Sequence, residues 1–177
     1  KFIYGIQKDI IEKYIIKKFI NFQILRLSKI FDSDLKGNTL IANWINKLDL
    51  NEDIYCANDN IFTPIHLNDV CEISKRIINN NSTGIYHLNS EKGINRKDML
   101  KEVLNIYSQF KNYSGKIYYK SLNEFLGAEN LPLNISMNPQ KAISESKFKQ
   151  KSFNDWVKII VKQRFCRICN SSKIHKV

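Results

Sequence analysis

A phenol and an amine stand one helical turn apart near the start of the chain, in Tyr4-Gly5-Ile6-Gln7-Lys8. On a helix, positions i and i+4 share a face, so Tyr4 and Lys8 can point into one pocket. A phenol titrates near pH ~10 and is a poor acid or base at neutrality; a neighbouring ammonium favours phenolate and moves it toward working pH. The two therefore form a candidate proton-transfer couple, with Tyr4 as acid or base and Lys8 as its tuning charge. The same spacing also arises as a plain surface pair on Lys-rich helices, so the couple gains weight only from its context.

Other chemistry-bearing residues are weaker candidates. His66 and His87 each sit in a short apolar segment and read as satisfied core or loop histidines rather than general bases. Asp69 reads as a helix cap, and the isolated Cys56 and Cys71 as buried thiols. Cys166 and Cys169 differ: they form a C-x-x-C among basic and small polar residues, the shape of half a zinc site. Structural zinc takes four ligands, and His175 is the one further candidate nearby. The alternative is a solvated basic tail with two reduced thiols.

These groups must be positioned by a chain of 177 residues, 43% hydrophobic and 25% charged, with six Gly and three Pro. That is enough for one core, and it excludes collagen, low-complexity disorder and a dense disulfide scaffold. No apolar run approaches the roughly 18 residues of a membrane span. The chain begins with Lys1 and shows no secretory leader pattern. A fragment of a cytoplasmic protein with reduced thiols is therefore expected, without a membrane partner. The net charge of +11 lies mostly at the end: residues 139–177 carry ten basic against two acidic side chains, residues 1–138 eighteen against fifteen. Only five of the 28 basic residues are Arg, the type favoured for base and phosphate recognition. The charge of the main body is read as solvated surface, and no nucleic-acid partner is expected.

The hydrophobic pattern predicts a helix over residues 4–22, with Ile6, Ile10, Ile11, Tyr14, Ile15 and Phe19 forming one stripe toward a core. A strand over 22–31 follows, then a helix over 39–48 and a short strand or turn within 54–61. An extended piece at 64–67 leads to a helix capped by Asn68 or Asp69 and reaching residue 78. A strand at 85–88 precedes a helix from Arg96 to about Phe110. Later come a strand at 116–119, a short helix at 121–126 and an extended 131–137. Ser152 and Asp155 have capping-box spacing for a last helix carrying Trp156. Strands separated by helices of about 10–15 residues imply parallel pairing in an α/β, doubly wound sheet.

In order and spacing, Tyr4-Gly-x-x-Lys8, then Ile24-Leu25-Arg26 with Ile30-Phe31, then Phe62-Thr63-Pro64-Ile65-His66 with Asp69, then Gly84-Ile85-Tyr86-His87-Leu88, resembles the second half of an extended short-chain dehydrogenase/reductase. Leu131-Pro132-Leu133-Asn134-Ile135-Ser136 and the Trp156 helix look like the end of the sugar-nucleotide reductases related to dTDP-4-dehydrorhamnose reductase. The resemblance covers about residues 1–162. It implies the C-terminal portion of a Rossmann-like doubly wound parallel sheet plus a substrate-binding part, with the N-terminal Rossmann half missing. It also implies an NAD(P)-dependent oxidoreductase that reduces a nucleoside-diphosphate 4-keto sugar, NAD or NADP being the cofactor. Tyr4 would give the carbonyl its proton as the nicotinamide delivers hydride; Lys8 would hold the nicotinamide ribose and tune Tyr4. Ser28 is a candidate contact to the cofactor and Lys29 to the substrate. Epimerisation or dehydration by the same apparatus is the near alternative, and a homo-oligomer is compatible with the family.

The chain departs from the family pattern at Gln7, where Ser or Thr is usual before the Lys, at Asp32 in place of Gly, and at Leu131 in place of Arg. These 177 residues contain neither the glycine-rich dinucleotide turn nor the upstream Ser or Thr of the catalytic triad, so the isolated chain is expected to be inactive. Residues 163–177 form a cysteine-bearing extension that is similar to the opening of the zinc-binding region before some sugar C-methyltransferases. That similarity implies zinc on Cys166 and Cys169 and a methyltransferase fused downstream. Two further readings stay open: a non-catalytic nucleic-acid-binding zinc module, and a degenerate interaction domain that keeps the fold without the site.

Overall fold

The computed structural model describes residues 3–126 and 131–174, with Leu126 and residues 167–174 described by backbone alone. The order of elements is α1 (Ile3–Lys18), β1 (Gln23–Leu27), β2 (Lys29–Phe31), α2 (Leu40–Leu50), β3 (Ile54–Ala57), β4 (Ile61–Phe62) and β5 (Pro64–His66). Then follow α3 (Leu67–Asn79), β6 (Gly84–Leu88), β7 (Ile94–Asn95), α4 (Arg96–Tyr107), β8 (Ile117–Lys120), α5 (Asn123–Leu126), α6 (Gln140–Ser146) and α7 (Phe153–Ile174). Three pairings are parallel: β1 with β6, β2 with β5, and β3 with β8. β4 and β7 pair antiparallel, a small ribbon that the sequence pattern did not reveal. The mixed α/β class with parallel strands is as expected.

The single strand expected over 22–31 is instead broken at Ser28. Its first half pairs with β6, up to Leu27 against Leu88, and its second half pairs with β5, from Lys29 against Pro64. Ser28 marks the handover because its Oγ accepts from the Thr63 N–H at 3.3 Å and donates to the Ile135 carbonyl at 3.4 Å. A side chain thus takes the place of a strand-to-strand bond at the one position where neither neighbour continues.

Two apolar clusters hold the molecule. The larger joins Ile41, Trp44, Ile45 and Leu48 of α2, Ile54 and Cys56 of β3, Val103 and Tyr107 of α4, and Val157, Ile160 and Val161 of α7. The smaller joins Ile65, Ile73, Ile77, Tyr86, Leu88 and Ala142 between α3, α6 and the β5 and β6 strands. Burial of this kind stabilises by about 25 cal/mol per Å² of apolar surface. Caps set the helix starts. Thr39 Oγ1 accepts from the Ala42 N–H, Asn95 Oδ1 from the Lys97 N–H, and Ser152 Oγ from the Asp155 N–H. The left-handed Gly84 (φ +113°) opens β6, where a Cβ would meet Lys141 Nζ at 2.7 Å.

Four local expectations are corrected. α1 ends at Lys18, and none of its residues is buried. The expected stripe meets no core among the described residues: Ile3, Tyr4, Ile6, Ile10, Ile11 and Tyr14 fall on one half of the helix, with Ile16 opposite, and all are exposed. α3 starts at Leu67, capped by His66, whose Nδ1 accepts from the Asn68 N–H at 3.1 Å. Asp69 lies buried in the first turn and accepts from Trp156 Nε1 at 2.7 Å instead of capping. Cys71 is exposed, because it faces away from the inward Ile73 and Ile77 of α3. Cys56 is buried as expected, and burial pushes its thiol up to about 11.

Candidate active site

α1 is tied to the sheet by an ion pair, Arg26 of β1 donating through Nε to Glu12 Oε1 at 3.0 Å. The Arg26 guanidinium holds the Glu12 carboxyl below its usual range, first through the hydrogen bond. This fixes the helix by its middle and leaves Tyr4, in its first turn, at the mouth of a cavity, with Lys8 one turn on. Tyr4 is 58% exposed. Lys8 Nζ lies 5.3 Å from the centroid of the Tyr4 ring, so the amine and the phenol do share one side of the helix.

The cavity, of about 670 Å³, is lined by Tyr4 from α1, Lys29 from the start of β2, Phe62 from β4, Arg96 from the start of α4, and Leu131, Pro132 and Ile135 from the long segment before α6. Asn60, Leu40, Leu122 and Phe125 complete it. Its volume suits a small-molecule ligand. Tyr4 and Lys29, both expected site residues, meet here. Lys8 stands beside Tyr4 rather than on the cavity wall, and Ser28 lies behind it, its hydroxyl engaged by Thr63 and Ile135.

Asn60 and Arg96 were missed from the sequence. The Asn60 carbonyl accepts from the Arg96 N–H at 2.8 Å, and the Asn60 side chain donates to the Leu133 carbonyl at 3.1 Å, so one residue clamps both the helix start and the opposite wall. The available signal was an Arg, scarce in this Lys-rich chain, placed directly after the capping Asn95. Burial lowers the pKa of Arg96, and burial together with the Arg96 charge lowers that of Lys29.

The two histidines lie elsewhere. His66 is buried and stacked on Trp156; burial lowers its pKa to about 4. His87 Nδ1 is 3.1 Å from the Asn138 carbonyl and its Nε2 is 3.4 Å from Arg26 Nη1. Both have the structural surroundings expected of them. Cys166 is exposed on α7, whose backbone is helical on through Cys169 to Ile174 and so runs across residue 162 without a break. The Cys169 side chain and His175 lie outside the described residues, and among the described residues no three His, Cys, Asp or Glu side chains cluster as for a metal. No described helix is long and apolar enough to cross a membrane.

Comparison with solved structures finds the same fold. The dTDP-4-dehydrorhamnose reductase of Bacillus anthracis in complex with NADP superposes with a TM-score of 0.76 at 18% identity, over 91% of this chain and 55% of that one. UDP-glucose 4-epimerase of Thermotoga maritima with UDP-glucose gives 0.73 at 15% identity, over 93% and 54%. A dTDP-glucose 4,6-dehydratase of Streptomyces venezuelae with NAD bound gives 0.66 at 16%, over 87% and 47%. The chain thus spans about half the length of these structures. No curated protein sequence matches it. Residues 1–165 match the RmlD substrate binding domain across both cavity walls, from Tyr4 to the Trp156 helix, and the chain belongs to that family.

Proposed function

We propose that this chain is the substrate-side portion of an NAD(P)-dependent sugar-nucleotide oxidoreductase that reduces a nucleoside-diphosphate 4-keto sugar. The observation that carries this reading is Tyr4 on the cavity wall, its ring exposed and the Lys8 amine 5.3 Å from the ring centroid. Tyr4 donates its hydroxyl proton to the carbonyl oxygen as that oxygen gains charge; Lys8, a fixed positive charge beside the ring, favours the phenolate left behind. Lys8 is also the residue placed to hold the nicotinamide ribose, with Ser28 as a more remote contact. The nicotinamide, when bound, supplies the hydride. Lys29 contacts the sugar nucleotide inside the cavity.

The same couple run in both directions would serve epimerisation, and fold alone does not choose between these reactions. The Cys166 and Cys169 thiols take no part in this reading. The test is Tyr4→Phe in the protein that carries this chain. A fall in kcat of about 10²-fold or more is expected, from the loss of general acid catalysis. Unchanged reductase, epimerase and dehydratase turnover would exclude Tyr4 as the acid.

A further inference from the structure

Among the described residues of α1 none is buried, and only Glu12 and Ile15 are less than exposed. At about 100° per residue, Tyr4, Lys8, Glu12 and Ile15 fall within about a quarter of the helix circumference, so the phenol lies close to the side by which the helix meets β1. That meeting is a fork: Arg26 Nε donates to both Glu12 oxygens, at 3.0 and 3.2 Å, and Nη2 donates to Oε2. The remaining nitrogen, Nη1, lies 3.4 Å from Nε2 of His87, the residue directly across from Arg26 in the parallel register of β1 and β6. His87 in turn places Nδ1 3.1 Å from the Asn138 carbonyl. With the imidazole proton on Nδ1, donated to that carbonyl, Nε2 is left to accept from Nη1, and each contact has a donor facing an acceptor. The line runs from the helix of Tyr4 across two strands to Asn138, at the end of the segment whose Leu131, Pro132 and Ile135 wall the cavity that Tyr4 also lines.

We infer that Glu12, Arg26 and His87 are positioning residues, which set where the Tyr4 hydroxyl stands in the cavity by tying the rotation of α1 to the segment that walls it. The effect is one of leverage. A side-chain tip about 6 Å from a helix axis moves about 1 Å for each 10° of rotation. A misplacement of about 1 Å at a reacting group can cost about 10²-fold in rate. Buried apolar packing does not hold α1 against such rotation within the described residues. A guanidinium that meets a carboxylate with two nitrogens fixes direction as well as distance, which a single ammonium does not. His87 is the second anchor of that guanidinium, so the fork does not swing with the helix. The Arg26 side chain is 43% exposed, and a surface ion pair adds little to stability, so the consequence of the line lies in geometry. The inference rests on the proposed function for the role of Tyr4 as the acid.

The test is steady-state kinetics of the protein that carries this chain, with dTDP-4-dehydrorhamnose and NADPH or NADH, on Arg26→Lys, Glu12→Gln and His87→Phe, alone and in a Tyr4→Phe background. Arg26→Lys keeps the charge and loses the fork. Arg26→Lys and Glu12→Gln are each expected to lower kcat about tenfold and His87→Phe about threefold, with both KM values within about twofold of the parent. In Tyr4→Phe no hydroxyl remains to be placed, and the same changes are expected to add less than about twofold. A helix that was merely loosened would raise KM and lower the residual turnover of Tyr4→Phe as well. Hydrogen exchange needs no turnover: α1 amides are expected to exchange about tenfold faster in Arg26→Lys, with those of α2 unchanged. Far-UV circular dichroism checks each variant, and should Arg26→Lys fail to fold, Glu12→Gln, on the outer helix, takes its place in both measurements. Parental kcat in any folded variant of the three overturns the line, as do losses additive with Tyr4→Phe, losses carried by KM, or unchanged exchange in α1. Turnover that needs Tyr4 but none of the three leaves the functional reading standing without the line; turnover indifferent to Tyr4→Phe removes both.

Discussion

His66 lies flat on Trp156, the ring centroids 3.5 Å apart and the planes within 6° of parallel, and the same indole donates from Nε1 to the buried Asp69. With Nδ1 accepting from the Asn68 N–H, the His66 proton sits on Nε2 and points to Ser33 Oγ, 3.1 Å away. One stack thus closes the end of β5, the start of α3 and the last helix on one another.

Acid should open this stack. Burial lowers the His66 pKa to about 4; the Lys151 charge adds to the effect and that of Asp32 opposes it. A histidine depressed in the folded state contributes stability that is complete above its unfolded pKa, near ~6.5, and is lost as pH falls toward and through the folded value. Burial acts on Asp69 in the other sense and raises its pKa, which blunts the effect. About 2 kcal/mol of stability should disappear between pH 7 and pH 4. Urea midpoints across that window should fall more steeply for the parent than for His66→Gln, and parallel pH slopes would count against the assignment.

Trp156→Phe keeps most of the stacking area but removes the donor to Asp69. A buried carboxylate without its partner costs about 1–3 kcal/mol. In Asp69→Asn the amide makes less demand on the indole, so the two changes should be strongly non-additive in a double-mutant cycle. Additive melting shifts would show that the bond at 2.7 Å contributes little.

Lys8→Met should act on chemistry and cofactor together. In the protein that carries this chain, kcat should fall about tenfold or more while KM for NAD(P)H rises, since the proposed function assigns one charge to both the phenol and the ribose. A change in kcat alone would leave Lys8 with the first role only.

α1 should make the isolated chain sticky. Most of its apolar residues are exposed, and they fall mainly on one half of the helix. The 177-residue chain should enhance the fluorescence of a hydrophobic dye, and replacing Ile10, Ile11 and Tyr14 by polar residues should remove most of that signal while leaving the melting temperature nearly unchanged. An unchanged dye signal would locate the apolar surface elsewhere.

What could be read from the sequence follows the range of the interactions involved. The nearness of Lys8 to the Tyr4 ring depends on one helical turn, and the capping role of Ser152 on three residues, so spacing predicted both, while the chemical weight given to the pair came from its context. The parallel class followed from the alternation of strands and helices. The His66 cap escaped because an imidazole rarely ends a helix, and nothing local tells that Trp156, ninety residues later, will cover it. Arg96 escaped for a similar reason: its distinction is that its guanidinium has no hydrogen-bond partner among the described residues, and that is visible only when Asn60, Lys29 and the 131–135 wall are brought together in space. Spacing located the apolar side of α1 but not its burial, because periodicity says which residues share a face and not what covers them.

The interruption at Ser28 gives the cavity a joint. Tyr4 travels with α1, which Arg26 fastens to the first half of the divided strand, while Lys29 travels with the second half and its β5 neighbour. The two halves are joined by the Ser28 backbone alone, with its hydroxyl bonded once each to Thr63 and Ile135. The spacing between the Tyr4 and Lys29 walls of the cavity is therefore set by the one residue at which the strand changes partner.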